Sequence, residues 1–178
     1  MVLTGNLCAC LEVDINILKE TCKNLLNQLI EYDAELAPLN QEFDALQISI
    51  DSVVSEWAML YIKRKELEES GSVIERIISS VIMELTELKK TTLPWSVVVS
   101  SEIESLVRFI NDNTLKLNVF RSEISAIDIR LEELKKQKTL LVNKQSGVAA
   151  KIQDLQIRIK YDEQSLNEAE LSLSRKLG

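Results

Sequence analysis

The chain has 178 residues, the size of one ordinary domain, of which 46 % are apolar, 28 % charged and only 4 % aromatic. Its net charge of −7, with no block of Lys and Arg, argues against a phosphate-gripping surface, so nucleic acid is not an expected partner. With 4 Gly, 2 Pro and no His, the composition favours long helices over turn-rich sheets and removes the commonest general base and metal ligand.

The opening stretch, MVLTGNLCACLEVD, has a short apolar run and no basic leader, and no run of 18 apolar residues occurs in the sequence. Neither a secretion signal nor a membrane-spanning helix is therefore expected. Three cysteines without such a signal point to a reducing, cytoplasmic setting rather than a disulfide framework. From Cys8 to Leu88, apolar residues recur at alternating steps of three and four, and only Arg64 and Gly71 break the rule among 24 places. A mean step of 3.5 held this long is the heptad signature of a coiled-coil seam, because a solitary amphipathic helix drifts out of that phase within a few turns. The spacing predicts a first helical arm over about 6–90, with Asn6 as N-cap and Lys89 and Lys90 at the negative end of the helix dipole. Pro38 faces outward between seam residues Leu36 and Leu39, and is expected to kink or briefly interrupt the helix. Gly71, within Ser70-Gly71-Ser72, reads as a weak place in a continuous helix, since the phase runs through it unbroken, with a true turn into a shorter third helix as the alternative.

Residues 91–98 break the pattern and form the predicted apex of a hairpin. The stepping then resumes from Val99 to Leu173 and predicts a second arm over about 99–177. Ser101 and Glu104 form a capping-box pair near its start. Of its 22 seam places four are polar, Asn113, Lys138, Gln145 and Asp162. Polar residues weaken a seam but penalise wrong registers more than the right one. Two arms of nearly equal length joined by a few residues pair antiparallel, each on the order of 120 Å long at 1.5 Å per residue. Folding about the apex pairs residues whose numbers total about 187. Pro38 then lies level with about residue 149, close to Gly147, which makes Pro38 and Gly147 a candidate elbow. The expected fold is all-α: one elongated unit over 1–178, a long antiparallel helical hairpin with a heptad coiled-coil seam, set within a larger helical bundle. A parallel dimer of open chains is the competing arrangement.

A second set of apolar residues lies off the seam. It comprises Val13, Ile17, Ile30, Ile48, Met59, Ile62 and Met83 on the first arm, and Leu115, Val119, Ile129, Leu140, Ile157 and Leu171 on the second. Several recur at the outermost heptad position, and the mean hydropathy is zero. A solvated two-stranded coiled coil is more polar than that, so these thirteen are expected to pack against other helices. The candidate contacts are Ile48, Ile62, Met83, Leu115, Ile129, Ile157 and Leu171. Leu93, Pro94, Trp95, Val97 and Val98 form a second candidate contact at the apex, where they either plug the end of the hairpin or meet a protein or a lipid surface.

Chemistry is not expected. Cys8 and Cys22 fall in the seam as small hydrophobes, Cys10 points elsewhere as an exposed thiol, and the three cannot converge on a metal. No glycine-rich phosphate loop, nucleophile elbow or paired-carboxylate pocket is visible, and no cofactor is implied. The leading reading is a non-enzymatic structural or scaffold subunit that assembles with other coiled-coil chains, as a homo- or hetero-oligomer. The alternative is a membrane-active protein, pore-forming or membrane-docking, that uses the apolar apex. A coiled-coil arm of a larger ATP-driven machine is a third plan, and it calls for head domains beyond these residues.

Overall fold

A helix with apolar residues every 3.5 positions has one narrow stripe to bury, and a second helix with the same stripe is the simplest cover. The computed structural model describes residues 3–91 and 97–177, and the side chains of 12–90 and 100–177. It consists of two α-helices packed against each other, α1 over Leu3–Thr91 and α2 over Val97–Leu177, with no strand among the described residues. Ion pairs run from one helix to the other within the single chain. This is the hairpin rather than the open chain.

Both helices begin within a few residues of the capping signals: α1 starts three residues before Asn6 and α2 four residues before Ser101. A cap contributes about 1 kcal/mol, whereas extending an existing helix by a few residues costs little, so a cap signal does not forbid helix upstream of it. Lys89 and Lys90 do occupy the last turn of α1, as expected. The expected interruption at Pro38 is not present, because α1 runs through it. Pro38 is exposed between half-buried Leu36 and Leu39, so the hydrogen bond it cannot make lies on the side where water replaces it. Gly71 is likewise helical and buried, with no positive φ.

The chain divides into two units, each with its own helix pair. The first comprises Met1–Ile50 and Leu140–Gly178. Its core is Ile50, Val148, Leu155 and Ala169, and its helices are tied by Gln145 Nε2 donating to Gln47 Oε1 at 2.9 Å and by Lys176 to Asp14 at 2.6 Å. The second unit is Asp51–Thr139, with a core of Val53, Leu117, Ile127 and Leu134. Here Glu56 pairs with Arg130 at 2.9 Å and Lys63 with Glu123 at 3.7 Å. One heptad up α1 is thus one heptad down α2, which is what antiparallel pairing demands. These two pairs total 186, whereas Asp14–Lys176 totals 190, Arg64–Asp128 192 and Glu75–Arg121 196, so the interhelical pairs lie on both sides of the expected total of about 187 and mostly above it.

Two helices cannot enclose a thick core. Most seam side chains are half-buried, and Leu134, at 0 % exposure, is the one fully buried side chain among those described. Among the described side chains every seam place read from the sequence is buried or half-buried except two, Trp57 and Lys138. The polar seam residues are accommodated individually. Asn113 donates to the Phe109 carbonyl at 2.8 Å, Gln145 bonds Gln47, and Asp162 is half-buried.

Candidate interaction surfaces

The two failures of the seam converge. Trp57 and Lys138 line one groove of about 580 Å³ in the second unit. It is also lined by the apolar Val53, Val54, Leu131 and Leu134 and by Tyr61, Arg64, Asp128, Glu132 and Lys135. An indole is too large to lie between two helix axes 8–10 Å apart, so Trp57 turns to the side of the seam. It remains 40 % exposed and stacks on Tyr61 one turn further along, with centroids 5.2 Å apart and planes inclined by 10°. Lys138 is exposed on the same groove, since a charge has no favourable place between two apolar stripes. The reading of Trp57 and Lys138 as seam residues is therefore corrected. The heptad count places their Cα atoms properly, but volume in one case and charge in the other sends the side chain out.

Arg64 shows how a charge can stay at a seam position. Its Nε donates to Asp128 Oδ1 at 2.6 Å and its Nη1 meets Glu68 Oε1 at 2.7 Å. The hydrogen bond to Asp128 raises Arg64 above its ordinary value; desolvation opposes it, and the charges of Asp128 and then Glu68 add to the rise. Arg130 is raised in the same way, first by Glu56 and then by Glu133. These pairs are open to solvent and act on register more than on stability.

All thirteen residues read as outward-facing are exposed, from 51 % at Leu171 to 70 % at Ile48. Ile48 and Ile157 belong to the first unit, and Ile62, Met83, Leu115 and Ile129 to the second. In the second unit Leu115, Val119, Ser122, Ala126 and Ile129 continue the spacing of four and three on the exposed face of α2. That is a second, uncharged heptad stripe.

The candidate elbow residues both lie in the first unit, and Gly147 is exposed with nothing within 4 Å of an added Cβ. The apex residues Leu93, Pro94 and Trp95 lie outside the described residues, and the side chains of Val97 and Val98 lie outside those described. The same holds for Cys8 and Cys10, whereas Cys22 is a half-buried free thiol. Among the described residues no helix is long and apolar enough to cross a membrane, and no group of His, Cys, Asp or Glu is placed to hold a metal ion.

The groove was not foreseen in the residue pattern, although two signals for it were present. One was an aromatic pair at i and i+4 on the seam's flank, and the other a lysine at an inward position. Comparison with protein-family models, with curated proteins and with solved structures gives no match.

Proposed function

We propose that the protein is a non-enzymatic structural or scaffold subunit, which assembles with other helical chains in a cytoplasmic multi-protein complex. The reading is carried by the outward apolar residues. Thirteen large side chains at 51–70 % exposure are more than a two-helix pair needs for its own stability, and packing against further helices removes them from water. Ion pairs that specify register without adding much stability suit a part whose role is spacing and docking.

Sedimentation velocity of the purified chain, compared with the Leu115→Gln/Ile129→Gln variant, tests the reading. The parent is expected to form assemblies that become smaller in the variant at unchanged helicity. A parent whose sedimentation ignores both substitutions would overturn it. Flotation with liposomes that disappears on Trp95→Asp would instead favour the membrane-active alternative, in which the apex docks into lipid.

A further inference from the structure

We propose that the outer stripe of α2 is where two copies of this chain meet, α2 against α2 and antiparallel, about a two-fold axis passing between residues 120 and 121. The proposal rests on the scaffold reading and deepens it by naming the partner and the register.

The stripe has the plan of a second coiled-coil seam. Leu115, Val119, Ser122, Ala126 and Ile129 are all exposed and hold steps of four and three along about 21 Å of helix at 1.5 Å per residue. Charged residues, Asp112 and Glu133, take the next place at either end. The stripe lies across α2 from Leu117 and Ile127, which are buried against α1, so a further helix can be laid on it without displacing α1.

The occupant follows from size and charge. Antiparallel pairing about this axis sets Leu115 over Ala126 of the second copy and Val119 over its Ser122, and the two-fold repeats both contacts. Each large side chain then meets a small one, as interdigitating layers require. One flank of the stripe carries Lys116 and Glu123, both exposed, and the same axis brings each to the other residue of the second copy, giving two acid–base pairs. Beyond the apolar run Arg108 comes over Glu133 of the second copy, again twice. The mismatch is Ile129 opposite Asp112, where the run ends. Sliding one copy by a heptad in either direction loses the match. Lys116 then meets Arg130 while Glu123 meets itself, or Lys116 meets itself. Parallel pairing stacks Ser122 on Ser122, Ala126 on Ala126 and Asp112 on Asp112, and it brings no acid to a base along the flanks.

The hairpin leaves Lys116 unused. Across the same flank of α2, α1 meets Arg130 with Glu56 at 2.9 Å and Glu123 with Lys63 at 3.7 Å. One heptad further along α1 stands Ser70, and Lys116 has no ion-pair partner among the described residues. Arg108 and Glu133 pair within α2, with Glu104 at 3.3 Å and Arg130 at 3.2 Å, and exposed pairs of that kind exchange partners at little cost. A contact this short falls below the roughly 1,200 Å² that stable interfaces bury, so the dimer is reversible.

Charge reversal tests the register. The measurement is sedimentation equilibrium of the full chain over a wide concentration range, with circular dichroism to show that each variant is folded. The parent is expected to dimerise. Lys116→Glu and Glu123→Lys are each expected to weaken the dimer by about tenfold or more, and 1 M salt is expected to shrink that loss. An equimolar mixture of the two variants is expected to associate as a heterodimer, because the two reversals complement each other. A single chain carrying both reversals is expected to dimerise like the parent. A dimer indifferent to both single reversals overturns the proposal, as does failure of both the mixture and the doubly reversed chain to associate. If such a dimer still dissociates in Leu115→Gln/Ile129→Gln, the scaffold reading stands without this register. A dimer that ignores those stripe substitutions as well, or a parent that stays monomeric, overturns both.

Discussion

Replacing Gly71 with Ala is expected to stabilise the protein by about 1.5 kcal/mol, although Gly71 is buried where the helices face each other. A Cβ built there lies 3.5 Å from Leu117 Cδ1, an ordinary van der Waals distance, so the methyl fits without displacing its neighbour. Gly71 also opens a depression of about 250 Å³ beside Leu117 and Phe120, which the methyl begins to fill. Helix propensity contributes about 1 kcal/mol of the gain, because glycine surrenders the most backbone freedom on entering a helix. Burial of the added methyl contributes up to about 0.8 kcal/mol. Gly147→Ala is the internal control, since a Cβ there meets nothing within 4 Å and should collect only the propensity part, about 0.5–1 kcal/mol. Urea titration followed by far-ultraviolet circular dichroism resolves the two, and in thermal melts the Gly71 variant should gain about 3–6 °C. A Gly71→Ala variant less stable than the parent, or one that gains less than Gly147→Ala, refutes the reasoning. It would mean that α1 and α2 approach more closely at Gly71 than the 3.5 Å contact implies.

Two further substitutions probe the second unit. Leu134→Ala should cost about 2–3 kcal/mol, the low end for a buried leucine because its half-buried neighbours can relax into the space. The same change at half-buried Leu60 should cost about half as much, and equal losses in a urea titration would show that Leu134 is not the centre of this helix pair. Arg64→Met keeps an unbranched stem but leaves Glu68 and Asp128 near each other without a cation. The variant's stability relative to the parent should therefore improve as salt rises towards about 1 M, where the screening length falls to about 3 Å. A difference that does not change with salt would assign Arg64 a packing role alone.

The helix pair was legible in the residues because a coiled coil repeats one rule many times. A single misread place, such as Asn6 taken as a cap, moves a boundary by a few residues and leaves the phase intact. The register was legible for a related reason. Two arms joined by a short connection leave little freedom, and the interhelical ion pairs total 186 to 196 against the expected 187 or so, an agreement in orientation and approximate level rather than to the residue. The outward stripe followed from the same periodicity, since a residue three or four places from another shares its face whatever lies opposite. The groove was not legible, because nothing in a repeat of 3.5 specifies how much room the facing helix leaves.

The heptad period therefore accounts for the helices and the faces their Cα–Cβ bonds point to, and the short connection between two arms of similar length accounts for their antiparallel pairing. What the packed structure adds lies beyond that period. Trp57 turns out onto Tyr61, Lys138 carries its charge to water, and Arg64 remains at the seam because Glu68 and Asp128 stand ready on either side of it. Those outcomes depend on the volume between two particular helices and on the charges that meet there. Neither quantity exists until the second helix is in place.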